Sequence, residues 1–401
     1  MRYLIWNECY VAGGADWSLI DLIAHWPGKD DRFTLFVNRT HEGLPLLREK
    51  MPRTVAFREF TTFLERTDAI LERHPVLRLP PFRKLLLLWL LARNYWQLRT
   101  DLKGLEFDAV LLNNGGYPGA LTGYMASHIA HERGIAKQVM IVRNYPPYRY
   151  TRSLIMRVVR RVCNRTLDRV VTVSESLRRA MIADSGVDER LLLTIHNGVS
   201  VDNKISDGGS DGPSVAFAPG RSVGIVGTLQ ARKGHRRLFE AWPAVMARFP
   251  EVRLYVIGSS KSGDKDGLRR HADALGIAES IVWVEFTRDI GAVYERLDVV
   301  VTPSLEYESF GRSVVEAMAF SKPVVATQVG GMPELVDDGV DGYLVAPNDP
   351  DALAERISRL LESETTRREM GKAGHAKYRR AFTAEAMVGK YYELFNGVNF
   401  V

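Results

Sequence analysis

Two carboxylate residues, Glu308 and Glu316, have the spacing to contact two parts of one ligand. Phe310 and Gly311 follow the first carboxylate, and a helix-like run begins at Ser313. One carboxylate in the loop and one about two turns into the helix would point toward the same crevice. Backbone N–H groups at a helix N-terminus suit a phosphate. The stretch predicts a sugar-nucleotide site, with one carboxylate for a sugar, one for a ribose and amides for the diphosphate.

Two adjacent cations, Arg232 and Lys233, come after a glycine, Gly227, that ends a strand-like run over residues 222–226. A helix-like run begins at about residue 236. Cations at the carboxyl end of a strand suit a diphosphate in a crevice between domains. Taken alone, two loop cations are more often exposed surface charge. The later Glu308 stretch favours the phosphate interpretation.

Two glycine pairs stand between a strand-like run and a helix-like run. Gly13 and Gly14 precede a helix with Asp16 near its start, and Gly330 and Gly331 occupy a similar loop. Glycines allow close backbone approach to a ligand, and the helix N-terminus offers amides. The dinucleotide fingerprint Gly-x-Gly-x-x-Gly is absent. An ordinary tight turn or strand-to-helix loop remains the alternative for each pair.

The bulk properties indicate a globular chain of two domains. The 401 residues are 46% hydrophobic and 25% charged. The sequence has only two cysteines, Cys9 and Cys163, which makes a disulfide framework implausible and favours a reducing compartment. The sequence shows no cluster of Cys and His residues with the spacing of metal ligands. Asn7 and Glu8 interrupt the first apolar run, so the N-terminus does not read as a signal peptide. No run has the roughly 20 apolar residues that span a bilayer.

Strand-like and helix-like runs alternate along the chain, which predicts parallel sheets covered by helices on both faces. The expected strands are residues 3–6, 33–37, 109–112, 139–142, 170–173, 222–226, 253–257, 281–284, 299–302, 323–326 and 342–345. Each half could form a doubly wound sheet. The expected organisation is a first domain over 1–201, a Gly-, Ser- and Asp-rich linker over 202–220, a second domain over 221–382, and a C-terminal helical segment over 383–401, whose return to the first domain stays open.

Two further segments each allow two interpretations. Residues 85–91 are apolar and too short to span a bilayer. They predict either a buried helix or an interfacial helix, the latter with basic residues at its ends and tryptophan anchors, namely Arg83, Lys84, Arg93, Arg99, Trp89 and Trp96. Residues 143–179 hold ten arginines and two acids within a chain of net charge +6. That excess suits either a solvated helix face or an anionic surface such as a membrane or nucleic acid.

These motifs, in this order, resemble the retaining, nucleotide-sugar-dependent glycosyltransferases with two Rossmann-like doubly wound α/β domains facing each other across a cleft, the GT-B architecture. The resemblance covers nearly the whole chain. It rests on the two glycine pairs, on the loop from Gly227 to Lys233, on Glu308 through Glu316, and on two further motifs, Val173-Ser174-Glu175-Ser176-Leu177 and Asn197-Gly198-Val199.

The resemblance implies a role for each site residue. Glu308 would contact the transferred sugar, and Glu316 would hold the ribose. Lys233 and Arg232 would neutralise the leaving diphosphate. Further donor contacts would come from residues in five loops, namely Gly13, Gly14, Gly227, Phe286, Thr287, Phe310, Gly311, Gly330 and Gly331. The expected donor is a UDP- or GDP-linked sugar acting as co-substrate, with no cofactor and no metal.

The chain departs from the family pattern in its first half. Arg143 stands where many relatives carry a histidine facing the donor sugar, and Thr228 stands where relatives carry an arginine. We expect Arg143 to offset both by reaching the diphosphate. The stretch containing Asn114, Gly115 and Tyr117 is expected to bind the acceptor.

The resulting expectation is a metal-independent hexosyltransferase that acts on a glycan or a lipid-linked glycan in polysaccharide or cell-envelope synthesis. It would be cytoplasmic and in peripheral contact with the inner face of an anionic membrane through its arginine-rich face. The Arg143 departure leaves a second interpretation, a catalytically weak nucleotide-sugar-binding protein or membrane-associated scaffold. A nucleic-acid-binding protein lacks any supporting recognition motif.

Overall fold

The computed structural model describes residues 1–74, 79–114, 116–144, 154–201, 217, 221–258, 264–284 and 290–397. Within these ranges, some side chains of three helices and that of Asn114 are not described. The chain divides into two compact units. The N-terminal unit comprises Met1–His196 with Val388–Val401, and the C-terminal unit comprises Asn197–Met387. Most of the segment predicted as the linker, 202–220, lies outside the described residues.

The N-terminal unit contains a seven-stranded parallel sheet in the order β3-β2-β1-β4-β5-β6-β7. Its strands are β1 Arg2–Glu8, β2 Arg32–Asn38, β3 Ala56–Phe60, β4 Ala109–Asn114, β5 Lys137–Val142, β6 Arg169–Thr172 and β7 Leu192–Thr194. Its helices are α1 Gly14–Ala24, α2 Leu44–Lys50, α3 Phe63–Arg73, α4 Pro80–Leu102, α5 Leu121–Glu132, α6 Leu154–Thr166 and α7 Glu175–Asp184.

The chain first moves outward from β1 to β3, then returns beside β1 and moves the other way to β7. Right-handed crossovers therefore place α1 and α2 on one face of the sheet and α3 to α6 on the other. The direction changes between β1 and β4, and loops at the carboxyl ends of strands around such a point commonly bind ligands. The central strands are buried on both faces, as the consecutive residues Tyr3 to Trp6 of β1, all buried, illustrate.

The C-terminal unit contains a six-stranded parallel sheet in the order β10-β9-β8-β11-β12-β13. Its strands are β8 Ser222–Val226, β9 Arg253–Ile257, β10 Ile281–Val284, β11 Val299–Thr302, β12 Val324–Thr327 and β13 Gly342–Val345. The helices that follow β8 are α8 His235–Arg248, α9 Lys265–Ala274, α10 Ile290–Arg296, α11 Arg312–Ala319, α12 Met332–Leu335, α13 Pro350–Glu362, α14 Glu364–Ala381 and α15 Ala384–Phe395. Here the direction changes between β8 and β11, which brings the loops after these strands together.

The prediction of two doubly wound α/β domains is confirmed. Five strands of the C-terminal unit have the expected bounds, and β12 is shifted by one residue. Two strands of the N-terminal unit, β3 and β7, were not expected, and both lie at edges of the sheet. The end of α15 belongs to the N-terminal unit, where Phe395 packs edge-on against the ring of Tyr3 and Tyr392 against that of Trp26.

The apolar segment over 85–91 belongs to a long helix, α4, which is neither wholly buried nor wholly exposed. One stripe at four-residue spacing is buried, formed by Leu90, Asn94, Leu98 and Leu102. Another stripe carries exposed large side chains, including Leu85 and Trp89. Among the described residues, no helix is both long and apolar enough to cross a membrane.

Candidate functional site

The loops after β8 and β11 are joined by backbone contacts. Leu305 donates its backbone N–H to the carbonyl of Arg232 at 2.8 Å. Gly234 has a φ of +77°, and a Cβ at this position would lie 1.8 Å from the carbonyl oxygen of Pro303. Only glycine fits so close a backbone approach in the left-handed region. The glycine therefore holds the two predicted cations against the loop that carries Glu308.

Three side chains converge on one oxygen of Glu308. Lys233 donates from Nζ to Oε2 at 2.6 Å, while Arg232 Nη1 lies 3.5 Å and Ser304 Oγ lies 3.4 Å from the same oxygen. The side chains of Glu308 and Lys233 are 14% and 19% exposed, so solvent reaches both. The structure thus brings together three of the four charged residues predicted in the C-terminal unit, whereas Ser304 was not predicted.

A second glycine fixes the backbone of Glu308 from the other side. Gly331 donates its N–H to the carbonyl of Glu308 at 2.8 Å. Gly330 has a φ of +56°, and a Cβ there would lie 2.1 Å from that same carbonyl oxygen. The predicted glycine pair therefore packs directly on the predicted carboxylate residue. Replacing Gly330 with any larger residue would displace Glu308.

Glu316 lies on α11 and is buried with a donor on each carboxylate oxygen. The hydroxyl of Tyr294 donates to Oε2 at 2.9 Å, and Nε of Arg312 donates to Oε1 at 3.0 Å. Burial, and next the Glu316 charge, raise the pKa of Tyr294, so the hydroxyl stays a donor. Arg312 could have been found in the sequence because it stands four residues before Glu316. Tyr294, on α10, carried no such signal.

The start of α11 lies between the two carboxylates. Gly311 occupies the N-cap position and supplies no side-chain hydrogen bond to the first turn. Phe310 is buried and packs edge-on against Phe382 with ring centroids 6.1 Å apart. The aromatic ring thus anchors the turn, and the first N–H groups of the helix suit an anionic group.

The predicted glycine turn of the N-terminal unit is held by a buried acid and a histidine. Gly13 donates its N–H to Oδ2 of Asp16 at 2.9 Å, and Nε2 of His41 lies 2.8 Å from Oδ1. Both side chains of the Asp16–His41 pair are fully buried. A Cβ on Gly13 would meet no described atom within 4 Å, so packing among the described residues does not require glycine there. His41 was not predicted.

Arg143 is buried and donates hydrogen bonds to neutral side chains. Its Nε and Nη2 donate to Oδ1 of Asn113 at 3.1 and 3.0 Å, and Nη1 donates to Oγ of Ser18 at 2.8 Å. Asn113 in turn donates to Oδ1 of Asn7 at 2.7 Å. The guanidinium, which follows β5, thereby ties together β1, β4 and α1. Its partners could not be found from local sequence because they lie on distant elements.

One more carboxylate of this unit, Glu8, lies at the carboxyl end of β1. It accepts from the backbone N–H of Thr122 at 3.0 Å, from the Thr122 hydroxyl, and from the hydroxyl of Tyr10 at 3.2 Å. Burial raises the pKa of Glu8. Glu8 was not predicted as a site residue.

The structure places some of the remaining predicted residues, and others lie outside the described residues. Gly227 follows β8 and donates its N–H to the carbonyl of Ile257, and Gly14 is the first residue of α1. Tyr117 is fully buried. Its proposed contact with an acceptor stays a prediction. The residues predicted to contact the base and part of the acceptor stretch lie outside the described residues, namely Phe286, Thr287, Gly115 and the side chain of Asn114.

Two doubly wound sheets, with cations, a carboxylate and a helix N-terminus at the switch point of the second, are the organisation of the two-domain glycosyltransferases. The family Glycosyltransferase Family 4 matches residues 12–203, and the family Glycosyl transferases group 1 matches residues 216–377. Together these matches cover most of the chain. The chain therefore belongs to the two-domain glycosyltransferases that combine these families.

Curated relatives and solved structures agree with that assignment. The chain is 33% identical over 233 residues to the D-inositol 3-phosphate glycosyltransferase of Mycolicibacterium smegmatis, covering 56% of this chain and 52% of the relative. It is 33% identical over 238 residues to the phosphatidyl-myo-inositol mannosyltransferase of Mycobacterium leprae, covering 57% of this chain and 60% of the relative. The matches thus span little more than half of these relatives.

A solved structure covers the fold more completely. The crystal structure of Anabaena Alr3699/HepE in complex with UDP-glucose superposes with a TM-score of 0.74 over 99% of each chain, at 23% identity. At that identity the likeness establishes the fold.

Proposed function

We propose that the protein transfers a sugar from a nucleotide-diphosphate sugar to a glycan or a lipid-linked glycan. The observation that carries this proposal is the convergence of Lys233 and Arg232 on Glu308, at 2.6 and 3.5 Å, beside the start of α11. Cations and helix amides suit a diphosphate, and a carboxylate suits sugar hydroxyls. The three kinds of group lie within the reach of one donor molecule.

The charges fit the electrostatics of glycosyl transfer. As the glycosidic bond breaks, the sugar gains positive charge and the leaving diphosphate gains negative charge. Lys233 and Arg232 would stabilise the diphosphate, and the N–H groups around Gly311 would add to that stabilisation. Glu308 would orient the hydroxyls of the sugar and balance its developing charge. Because these cations would neutralise the leaving diphosphate, we propose that transfer needs no metal ion.

We propose that the configuration of the sugar is retained. The acceptor oxygen would attack the face that the diphosphate leaves, so one C–O bond forms as the other breaks. A leaving phosphate oxygen would take the acceptor's proton. This route needs no carboxylate nucleophile. The carboxylate of Glu8 is a poor candidate for such a nucleophile. It is buried, and Thr122 and Tyr10 already donate hydrogen bonds to it.

The donor is proposed to carry UDP or GDP, and the acceptor to be a lipid-linked glycan reached from the cytoplasmic face of a membrane. The Anabaena structure, a complex with UDP-glucose, supports a uridine donor. The relative named a phosphatidyl-myo-inositol mannosyltransferase supports a lipid-linked acceptor. The contribution of Arg143 to diphosphate binding stays a prediction.

The test is donor turnover by the purified protein with a panel of UDP- and GDP-linked sugars and a lipid-linked acceptor extract. We expect cleavage with retained anomeric configuration by NMR, unchanged by a metal chelator. Glu308→Ala should abolish it. Glu362→Ala is the matched control, because it also removes a carboxylate paired with an arginine, Arg248, on the surface of the same unit.

The outcomes separate enzyme from binder. Absence of turnover with every donor and acceptor would refute the proposal. Calorimetric binding of a donor without transfer would instead support the alternative function, a nucleotide-sugar-binding or scaffold protein. Equal loss in Glu308→Ala and Glu362→Ala would show that the effect is not specific to the site.

A further inference from the structure

The long helix α4 has two opposite faces of different character. Its buried stripe packs into the N-terminal unit, as described above. Its other face exposes large apolar side chains at helical spacing, namely Phe82 at 47%, Leu85 at 65%, Trp89 at 54% and Trp96 at 66%. Steps of three, four and seven residues place these side chains on one side of the helix. A row of exposed apolar groups along four turns indicates a binding surface.

The tryptophans of this row are accompanied by cations. Arg93 lies over the ring of Trp89 at 5.4 Å, and Arg99 lies over the ring of Trp96 at 5.7 Å. Arg99 is also paired with Glu132 at 2.6 Å, which neutralises its charge. Tryptophan beside a basic residue is typical of helices that lie at the boundary between lipid headgroups and acyl chains.

A second exposed row, on α6, is basic. Arg157, Arg161 and Arg165 are exposed at four-residue spacing, and α6 contains no acidic residue. Among the described residues, none of these three arginines has an ion-pair partner within 4 Å. The side chain of Val158, 58% exposed, lies beside the same row. This row concentrates unneutralised positive charge on the N-terminal unit.

The apolar row and the basic row belong to one layer of the fold. Helix α5 packs against both α4 and α6. The strand order places all three helices on the same face of the seven-stranded sheet. A flat, extended partner could therefore contact the two rows together.

We propose that α4 and α6 form a docking surface for an anionic phospholipid bilayer. The side chains of Leu85, Trp89 and Trp96 would enter the boundary between headgroups and acyl chains. The arginines of α6 would contact lipid phosphates. At 23 residues α4 is about 34 Å long, and it would lie along the membrane surface. The exposed row of α6 carries only positive charge, which an anionic bilayer would complement.

This inference deepens the proposed function and rests on it only for the expectation that the acceptor is lipid-linked. The donor site plays no part in it. Sedimentation with vesicles can therefore succeed or fail independently of turnover.

The experiment is co-sedimentation of the full chain with vesicles of phosphatidylcholine alone or mixed with phosphatidylglycerol. The double variant Trp89→Ser/Trp96→Ser should lose binding to both kinds of vesicle. The triple variant Arg157→Gln/Arg161→Gln/Arg165→Gln should bind anionic vesicles on the order of 100-fold more weakly at low salt, or about fivefold for each arginine. Tryptophan emission of the native chain should shift to the blue on binding.

The matched control removes the same charge elsewhere. Arg368, Arg379 and Arg380 are exposed on α14 of the C-terminal unit, and their replacement by glutamine should leave vesicle binding unchanged. All variants should keep the native melting temperature and the native turnover with a water-soluble acceptor.

Two results would overturn the proposal. Equal weakening by the α14 control would show that only net charge matters. Absence of vesicle binding, with a dimer by light scattering that Trp89→Ser/Trp96→Ser dissociates, would assign the surface to a second copy of the chain. Vesicle binding without turnover would leave the docking surface intact and refute the proposed function.

Discussion

Each unit gathers polar side chains at the carboxyl ends of its central strands, but the two clusters are built differently. In the C-terminal unit, Lys233 pairs with the carboxylate of Glu308, and solvent reaches both side chains. In the N-terminal unit, Arg143 is buried and donates to neutral oxygens of Asn113 and Ser18. The first pair can exchange its partners for those of a ligand, whereas the second fixes the positions of several elements.

The free energies of the two kinds of interaction explain why the two clusters should respond differently to substitution. A solvent-reached ion pair contributes only about 0–1 kcal/mol, so a charged ligand displaces it at little cost. A buried cation must be hydrogen-bonded throughout, and removing its partners is expensive. We therefore expect substitutions in the C-terminal cluster to change chemistry and binding more than stability, and substitutions at Arg143 to change stability.

Among the variants that compare the two clusters, the largest expected effect is that of Lys233→Ala on turnover. Removing a cation aimed at a leaving group should lower kcat by roughly 10²–10³-fold, or about 3–4 kcal/mol of transition-state stabilisation. The melting temperature should change little, because the side chain is partly exposed. Steady-state kinetics and thermal unfolding measure the two quantities. Lys372→Ala, at an exposed position of α14, is the control, and a comparable loss there would contradict the assignment.

Arg143 should show the reverse pattern. Arg143→Ala would remove one donor from the oxygens of Asn113 and Ser18, which we expect to lower the free energy of unfolding by about 2–4 kcal/mol. Arg143→Lys should recover only part of this, because an ammonium cannot reproduce the fork of the guanidinium. Denaturant titration gives the free energies.

The same variants test the predicted contact of Arg143 with the diphosphate. If donor binding and turnover are unchanged in the folded fraction of Arg143→Ala, that prediction is wrong and the residue is structural. If unfolding is unaffected while turnover falls, the contrast between the two clusters is wrong instead.

How far the sequence predicts the fold depends on burial. The strands of the C-terminal unit are continuous apolar runs covered on both faces, so their bounds are visible. β3 lies at a sheet edge and carries Arg58 and Glu59, which face water and interrupt the apolar run. β7, Leu192–Thr194, has only three residues. Edge strands are half-solvated and short, so local sequence marks them poorly.

The residues of the candidate site also fall into two groups, those that the sequence predicts and those that it does not. Glu308, Lys233 and the glycines that hold them follow strands directly, so the order of motifs predicts that they meet. Tyr294 and His41 act through contacts between elements distant in sequence. Such contacts follow from packing of the folded chain, which no local pattern encodes.

The next prediction concerns a buried neutral group two residues after Lys233. Burial, and next the Lys233 charge, lower the pKa of His235 to about 4, and neither ring nitrogen has a described partner. As the pH falls, the unfolded chain takes up the proton near its ordinary value of 6.5, before the folded chain does. Stability should therefore be constant above about 6.5 and fall between about 6.5 and 4, by up to roughly 3 kcal/mol.

His235→Leu should remove that dependence. Leucine fills much of the same space and leaves no buried polar atom unpaired, so stability at neutral pH should be equal or higher. Urea unfolding at about pH 7 and about pH 5 measures the difference. His131→Gln, at an exposed histidine of α5, should keep the native slope. An unchanged slope in His235→Leu would show that other groups cause the acid sensitivity.

The smallest expected effect is also the one that tests most directly whether the C-terminal pair exchanges partners. In Glu308→Gln, Lys233 and Arg232 lose the carboxylate oxygen on which both converge. A diphosphate then meets cations that are no longer paired with Glu308. Affinity for UDP, measured by calorimetry, should rise by up to about fivefold, the range of a solvent-reached ion pair. Turnover should fall in the same variant.

Glu316→Gln supplies the matched comparison, because it makes the same substitution eight residues along the chain. Its carboxylate is held by Tyr294 and Arg312 rather than by the predicted phosphate cations. If Glu316 binds the ribose, UDP affinity should fall, since an amide accepts hydroxyl hydrogen bonds less strongly than a carboxylate. Opposite signs at the two positions would establish that one carboxylate competes with the diphosphate while the other binds the nucleotide. A fall at both would refute exchange at Glu308.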